Sequence, residues 1–498
     1  MIRALAASRT IAASPIGLLA FVTALALAAF AVRKGLMSDD AVTLWAGAIS
    51  AGGGEVPLGR IVASYPTLPF FAATLLEFVM PVGTPTPALL AAGLLALLSG
   101  AWFLSFRSAG LPTATAAAAT LLIALHPAML AACLSGAAEM FLVVFLYLLG
   151  GALYDLRART AASEVMAVGL ALMGLAFSHP MGGAIACAVV PWLALAIRPT
   201  LVANSAFNVV VALLFPTIFS LGSFAYVSWV FPGDGWSFLA APAESLAAWA
   251  ADAAKIMRPL TGSIALDAAL AVAAALVLGA PIAPVAVGWV GQRRPLVAPP
   301  LVFAATVVVA AAITVATGLF GNPASLAVAA PILAAVIVAR VPVVRERASI
   351  ALALLAAGWL GGAIGLVLVD PRASLHLSAA LEGQVGDRVR LDALALGGAT
   401  MGHEGVLVDT DNAPAVVVGR GPARGLIGPS DPAFTLATLF SRINVPFIAV
   451  PDPNVAAGVQ DRMNKTFPRL YRDGAQGYRL AYQNQTWRLY ARDQQGAK

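Results

Sequence analysis

Residues 16–40 read IGLLAFVTALALAAFAVRKGLMSDD, and this stretch decides the fold class. An apolar run is followed at once by two basic residues and, a few positions later, by two adjacent acids. About 20 apolar residues are enough to cross the hydrocarbon core of a bilayer as a helix. The run over 12–32 therefore predicts a membrane-spanning helix that ends in a polar segment.

The composition of the whole chain indicates a membrane protein. Of its 498 residues, 60% are hydrophobic and 11% are charged, and the mean hydropathy is +0.87. A soluble domain of this size needs many more charged residues to cover its surface, so lipid must solvate much of the chain. The formal net charge of +6 does not indicate nucleic acid as a partner. The basic residues form short clusters between apolar runs, as topology signals do.

Further apolar runs follow the first one along the chain. They lie at 88–106, 113–132, 139–156, 164–178, 183–197, 205–231, 263–290, 298–318, 323–339 and 349–369. We expect about eleven membrane-spanning helices, and we expect the first to be kept rather than cleaved as a signal peptide. The predicted fold class is mainly α, a polytopic membrane protein whose membrane domain covers residues 1–369.

Basic residues are concentrated in alternate loops. With the N-terminus in the cytoplasm, the loops on that side contain Arg107, Arg157 with Arg159, Arg198, Arg293 with Arg294, and Arg340 with Arg345 and Arg347. Cytoplasmic loops are enriched in Arg and Lys, so this asymmetry sets the orientation. An odd number of spans then places the tail on the outer side. We expect a multi-pass protein of the cell inner membrane with a periplasmic C-terminal domain.

The tail, residues 370–498, differs in character from the rest of the chain. Short buried strands are predicted at Val406–Asp409, Ala415–Val418 and Phe447–Val450, helices at Thr435–Arg442 and Val455–Phe467, and a closing hairpin at Gly477–Leu489. The tail is therefore expected to be a small soluble α/β domain. The first outer loop, 35–87, is also long, and its segment Pro69–Met80 is too short to span and can lie in the membrane interface.

Ionisable residues are almost absent from the centres of the predicted spans. The candidates gather at the outer ends and in the outer loops: Asp39, Asp40, Glu77, His126, Glu139, His179, Lys255 and Arg258. An ion-coupled transporter would need charged residues near the bilayer centre and repeated broken helices. The pattern instead favours chemistry on a lipid-attached substrate at the outer face.

The tripeptide Ser38-Asp39-Asp40 follows the first span directly. Two adjacent acids at a membrane surface can hold a metal ion or act as a general base. The alternative is structural, with Ser38 or Asp39 as the N-cap of a helix over Ala41–Ser50. The residues alone leave both interpretations open.

The layout resembles the GT-C superfamily of membrane glycosyltransferases, in its bacterial branch related to protein O-mannosyltransferases and aminoarabinose lipid A transferases. The resemblance is carried by Asp39-Asp40, Tyr65-Pro66-Thr67-Leu68-Pro69, Ala138-Glu139, Ser178-His179-Pro180 and the tail pattern from Phe467-Pro468 to Trp487-Arg488-Leu489-Tyr490. It implies a cytoplasmic N-terminus, an acidic pair in a large first outer loop, and a soluble outer domain after the last span.

The resemblance also implies an activity. The chain would move a sugar from a polyprenyl-phosphate donor to a lipid, glycan or protein acceptor on the outer face. One acid of the pair Asp39-Asp40 would be the general base, and the same two acids would be the ligands of a divalent metal ion if the reaction uses one. Binding of the substrate and its lipid phosphate would involve Arg60, Tyr65, Glu139, His179, Lys255 and Arg258. The competing hypotheses are a glycolipid or polysaccharide transporter or flippase, and a non-catalytic membrane scaffold.

Overall fold

The computed structural model describes residues 15–53, 61, 64–159, 162–197, 199–231, 233–236, 238–239, 243–256, 261–290 and 297–493. The described chain is mainly helical and carries one small sheet in its C-terminal part. It divides into two compact units. Unit 1 comprises Met1–Ala28, Tyr65–Pro69 and Ala88–Glu382, and unit 2 comprises Ala29–Ser64, Phe70–Pro87 and Gly383–Lys498. The domain limits expected from the sequence, 369 and 370, stay a prediction.

The helices before residue 383 are numbered in chain order. They are α1 Pro15–Lys34, α2 Asp39–Gly52, α3 Thr67–Glu77, α4 Thr86–Ser108, α5 Thr113–Ala124, α6 Pro127–Ser135, α7 Ala137–Ala158, α8 Ala162–Ser178, α9 Met181–Val189, α10 Leu193–Ala196, α11 Pro199–Val230, α12 Ala243–Ile256, α13 Ile264–Gly279, α14 Ile282–Val290, α15 Ala298–Thr317, α16 Ala329–Arg340, α17 Val343–Glu346, α18 Ala348–Val369 and α19 Pro371–Glu382. Short 3₁₀ turns, Val190–Trp192 and Pro323–Val328, precede α10 and α16.

Among the described residues, seven helices are long and apolar enough to cross a membrane. The number rises to nine if two bent pairs, α5 with α6 and α13 with α14, each count as one span. The remaining two predicted spans, 164–178 and 183–197, fall on the shorter apolar helices Ala162–Ser178 and Met181–Ala196. The chain is therefore a mainly helical protein with seven to nine candidate membrane-spanning helices.

Unit 2 contains the sheet, and its elements follow α19. They are α20 Arg388–Ala399, β1 Val406–Leu407, α21 Pro414–Arg420, β2 Leu426–Ile427, α22 Pro432–Phe440, β3 Phe447–Pro451, α23 Ala456–Gln460, α24 Arg462–Thr466, α25 Leu470–Asp473, β4 Tyr478–Gln483 and β5 Trp487–Arg492. The strand order is β2-β1-β3-β5-β4. The first three strands are parallel, and β5 runs antiparallel to both β3 and β4.

Helix α2 belongs to the core of unit 2. Its apolar residues recur on one face of the helix, and Val42, Trp45 and Ile49 are almost completely buried. They share a hydrophobic cluster with residues of α20, α21, β1 and β5. Burying each such side chain stabilises the unit by about 1.5–3 kcal/mol. The segment that follows the first candidate span thus completes a core whose other walls come from the tail.

Two sequence predictions for the tail are wrong in detail. Ala415–Val418, predicted as a strand, lies within helix α21, with Pro414 at its first turn. A short apolar run of this length does not distinguish a buried strand from a buried helix. The single helix predicted over Val455–Phe467 is two short helices, α23 and α24, because the Asp461 side chain accepts from the Asn464 amide and starts a new helix. The strands around Val406 and Phe447 and the closing hairpin are confirmed.

Candidate functional site

The acidic pair lies at the start of α2. Ser38 is the N-cap, and its hydroxyl accepts from the Ala41 amide at 3.1 Å. Asp39 and Asp40 occupy the first turn, where a carboxylate complements the positive end of the helix dipole. Both residues are exposed. The capping interpretation is therefore confirmed for Ser38, and both acids lie in an exposed first turn of the helix.

Arg390 from α20 anchors this helix start. Its Nη2 donates to Asp39 Oδ1 at 2.5 Å, and its Nη1 donates to the carbonyl oxygens of Gly35, at 3.0 Å, and Met37. The Arg390 side chain is 9% exposed, whereas that of Asp39 is 90% exposed. The buried end of the guanidinium fixes the backbone that leads into α2. Its outer end holds one oxygen of Asp39 in a defined position.

A second polar group is buried in unit 1. His179 follows α8, Glu139 lies in the first turn of α7, and Ser325 lies in the 3₁₀ turn before α16. Glu139 Oε1 accepts from the Ser325 hydroxyl at 2.6 Å and lies 3.4 Å from His179 Nε2. Glu139 Oε2 is buried and has no hydrogen-bond partner among the described residues. The structure therefore brings Glu139 and His179 together and adds Ser325.

The hydrogen bonds of His179 determine its tautomer. The Met181 amide donates to Nδ1 at 3.1 Å, so that nitrogen carries a lone pair and Nε2 carries the proton. Nε2 is then the donor towards Glu139. With both imidazole nitrogens engaged, Glu139 Oε2 is the atom of this pair that has acceptor capacity for a ligand.

Tyr65 completes this group. Its hydroxyl donates to the Ala176 carbonyl at 2.8 Å and lies 3.2 Å from the His179 carbonyl. Burial raises the pKa of the Tyr65 hydroxyl, so it stays protonated and acts as a donor at neutral pH. Its ring packs edge-on against Phe224 and Phe238. Tyr65 thus positions the end of α8 that carries His179.

His126 has the same local arrangement as His179, but no acidic residue in the described part of the chain pairs with it as Glu139 pairs with His179. Like His179 it precedes a proline, and its Nδ1 accepts from the Ala128 amide at 3.2 Å. Its Nε2 is buried, and the backbone of Gly279 and Gly358 lies beside the ring. The ring fills a slot beside Gly279 and Gly362, and a Cβ at Gly362 would lie 2.1 Å from Nε2. His126 therefore caps α6 and fixes the 53° bend between α5 and α6.

Lys255 lies on α12 and is paired. Its Nζ is 2.8 Å from Asp252 Oδ1, and Arg372 Nε is 2.6 Å from Asp252 Oδ2. The hydrogen bonds from Lys255 and Arg372 lower the pKa of Asp252. Both cations are largely exposed, at 74% and 58%. One carboxylate therefore holds two cations together at the surface of unit 1.

The predicted site residues fall into separate groups. Asp39 and Asp40 belong to unit 2, whereas Tyr65, Glu139, His179 and Lys255 belong to unit 1. Arg60 and Arg258 lie outside the described residues. Glu77 accepts from the Thr86 hydroxyl at 2.9 Å, and burial raises the pKa of its carboxyl group.

Sequence reasoning missed three partners of these residues. They are Ser325, Arg372 and Arg390, and each pairs with a residue at least 120 positions away. For Arg372 a signal existed, since it directly follows the last apolar run. Nothing in the sequence distinguishes Ser325 or Arg390 from other residues of their type.

Within the described ranges, no group of three or more His, Cys, Asp or Glu side chains is placed to hold a metal ion. The two acids at the start of α2 would have to be joined by ligands from the substrate or solvent, and their role as metal ligands stays a prediction. Comparison of the chain with protein-family models, curated proteins and solved structures finds no match. The class of the protein is therefore defined by the fold: a mainly helical chain with seven to nine candidate membrane spans and a small C-terminal sheet.

Proposed function

We propose that this chain is an inner-membrane glycosyltransferase that moves a sugar from a polyprenyl-phosphate donor to an acceptor on the outer face. The observation that carries the proposal is the accessible acidic pair at the start of α2, directly after the first candidate span, with Asp39 held by the buried Arg390. A carboxylate fixed in this way is suited to take a proton from an acceptor hydroxyl as the new bond forms.

The proposed topology has eleven crossings. Seven long helices, two bent pairs and the short apolar helices Ala162–Ser178 and Met181–Ala196 supply them. With the N-terminus in the cytoplasm, this number places α2 and the C-terminal sheet on the periplasmic side. Both halves of unit 2 are then on the same side of the membrane, which is what its shared hydrophobic core requires.

The groups in unit 1 have a distinct role in this proposal. A leaving lipid phosphate needs cations to stabilise its charge, and the paired cations Lys255 and Arg372 offer two. Glu139, oriented by Ser325 and His179, would accept a hydrogen bond from a sugar hydroxyl through Oε2. Such a buried acceptor discriminates strongly for a ligand that carries the donor, because it otherwise remains unpaired.

The test is sugar transfer by the purified protein with a panel of polyprenyl-phosphate sugars. We expect Asp39→Asn or Asp40→Asn to lower transfer by about 100-fold or more while donor binding persists. Asp155→Asn, which breaks the ion pair with Arg340 elsewhere in the chain, is the matched control and should transfer normally. Added chelator would show whether a divalent ion takes part. Equal transfer in all variants would remove the pair from the mechanism, and an absence of donor binding would favour a transporter or scaffold.

The two His-Pro sites provide a second test. Asn at either position retains an acceptor for the amide two residues later, so the helix cap survives, but it removes the imidazole Nε2. We expect His179→Asn to raise the KM for the donor or acceptor, because Glu139 loses its orienting donor. His126→Asn should leave KM unchanged and lower only thermal stability. Equal effects of the two variants on KM would contradict the assignment of Glu139 to substrate binding.

A further inference from the structure

Unit 2 contains a cavity of about 730 Å³ that the acidic pair does not line. One wall is helix α2, through Thr43, Gly47 and Ser50. The other walls include β2, the residues on both sides of it, and the loop that follows β1. The volume lies within the range of about 300–1,000 Å³ that is typical of small-molecule sites.

The position of the cavity follows from the sheet topology. Strands β1 and β2 are parallel neighbours, so their carboxyl ends meet at one edge of the sheet. Part of the cavity lining lies beyond these carboxyl ends, the side on which open α/β sheets bind their ligands. Thr410 follows β1, and Gly428 follows β2. The two loops approach so closely that a Cβ at Gly428 would lie 2.5 Å from Thr410 Oγ1, which is why glycine is required there.

The polar lining consists of hydroxyl groups and carboxylates. Thr43, Ser50, Thr410 and Ser430 contribute hydroxyls, each able to donate and to accept a hydrogen bond. Asp431 lines the cavity as well, and only its Oδ1 is used to cap α22, by accepting from the Ala433 amide at 2.7 Å. Asp411, a second acid in the lining, is paired with Arg462 at 3.0 Å. The charged side chains among the described lining residues are these two carboxylates, which repel a phosphate or another anion and can accept hydrogen bonds from hydroxyl groups.

The apolar part of the described lining includes one aromatic side chain, Phe70. Phe70, 6% exposed, lines the cavity and faces Gly47 of α2 across 3.4 Å, measured to the position a Cβ would take. Glycine within a helix costs about 0.5–1 kcal/mol relative to alanine. A Cβ at position 47 would be in van der Waals contact with the edge of the ring, so glycine lets Phe70 pack close to α2. An aromatic ring next to hydroxyl and carboxylate groups is complementary to a sugar, which has C–H bonds on its ring face and hydroxyls at its edge.

We propose that this cavity binds an uncharged sugar residue of a glycan. The hydroxyls and Asp431 hydrogen-bond to the sugar hydroxyls, and Phe70 packs on the apolar ring face. The inference goes beyond the proposed transfer reaction and does not depend on it, since binding requires neither the donor nor the acidic pair.

The experiment is direct binding to the full-length protein in lipid nanodiscs with no lipid-linked donor present. The probes are methyl glycosides of mannose, galactose, glucose and arabinose, with glucuronate and mannose 6-phosphate as charged counterparts, followed by saturation-transfer NMR. We expect at least one neutral glycoside to bind at millimolar concentration and the charged probes to bind more weakly. Preferred binding of the charged probes, or no binding of any neutral glycoside, would overturn the proposal.

Two cavity variants and one control variant test whether the sugar binds in this cavity. Gly47→Leu places a bulky side chain in the cavity lining beside Phe70 and should abolish binding. Thr410→Val keeps the shape against Gly428 but removes one hydroxyl, so it should weaken binding by about 3–10-fold. Thr438→Val is the control, because its hydroxyl donates to the Phe434 carbonyl within α22 and is not part of the cavity. Unchanged binding in both cavity variants would place the sugar elsewhere and refute the assignment.

The same assay distinguishes a free glycan from a glycan that is attached to a lipid. Free oligosaccharides that bind as tightly as the same glycan attached to lipid indicate a site that recognises the sugar alone. Tighter binding of the lipid-attached form, lost again in Gly47→Leu, indicates a membrane-linked acceptor. Because Asp39 does not line the cavity, Asp39→Asn should lower transfer by about 100-fold or more and retain glycoside binding. The two proposals can therefore fail independently.

Discussion

Asp461 should make the stability of unit 2 depend on pH. Its side chain is 1% exposed, its Oδ1 accepts from the Asn464 amide, and its Oδ2 has no hydrogen-bond partner among the described residues. Burial raises the pKa of this carboxyl to about 7, and the nearby Asp409 adds to the effect. An aspartate in an unfolded chain has a pKa of about 3.9. The folded state therefore retains a proton that the unfolded state releases.

The sign and size of the pH dependence follow from the linkage between proton binding and folding. A raised folded-state pKa gives a stabilising contribution that is complete below the unfolded pKa and is lost as the pH rises through the folded value. Between pH 5 and pH 7 the loss is up to about 2.7 kcal/mol, since each pKa unit corresponds to about 1.36 kcal/mol. The Asp461→Asn variant keeps the helix cap and cannot ionise. Its stability relative to the wild type should therefore rise by roughly 2–3 kcal/mol between pH 5 and pH 8.

The assay is thermal unfolding of the intact protein in detergent at pH 5 and pH 8, followed by tryptophan emission, to which the buried Trp487 of β5 contributes. We expect the melting temperature of Asp461→Asn to exceed that of the wild type by several degrees more at pH 8 than at pH 5. Asp387→Asn is the control, because Asp387 caps α20 at the surface by accepting from the Val389 amide. A difference between Asp461→Asn and the wild type that does not change with pH would refute the reasoning.

Two further predictions concern packing and the anchored helix start. Arg390→Met should destabilise unit 2 by about 2–4 kcal/mol, since it leaves backbone carbonyls unpaired, whereas Asp39→Asn should cost less than about 1 kcal/mol because that carboxylate is exposed. If chemical denaturation gives equal losses of unfolding free energy for the two variants, the expected difference between them is contradicted. Gly362→Ala should lower stability by about 1–3 kcal/mol through overlap with His126, while Gly222→Ala, with open space around it, should be neutral or stabilising by up to about 1 kcal/mol. Thermal unfolding of both variants checks this, and no loss in Gly362→Ala would refute the packing argument.

The sequence predicted the apolar helices well, because a run of about 20 apolar residues has a strong and local signal. It also located β3 and the final hairpin. It did not distinguish Ala415–Val418 as a helix, since four apolar residues fit the interior of either element. It did not predict that α2 packs in the core of unit 2, where Trp45 and its neighbours are buried. Pattern arguments describe which face of a helix is apolar, and they do not say what covers that face.

Some residues of the candidate site were predicted from the sequence and others were missed. Burying a charged side chain in a membrane is energetically costly, so Glu139 and His179 were predicted as functional candidates. The structure brings these two residues together. Arg390 was missed because its partner Asp39 is 351 positions away and no local pattern links them. The cavity of unit 2 was also missed, since its lining comes from α2, from Phe70 and from two loops after parallel strands. Long-range pairings of this kind are decided by the tertiary fold.

The shared core of unit 2 has a consequence for biosynthesis. Helix α2 is made early, and the strands that cover its apolar face are made only after every candidate membrane span has been completed. At about 5–20 residues per second, the ribosome needs on the order of tens of seconds to reach β1 after finishing α2. During this interval Val42, Trp45 and Ile49 lack the partners that bury them in the finished protein. A fragment that begins at residue 383 has the complementary defect, so the tail expressed alone should aggregate unless a peptide of residues 36–52 is supplied with it.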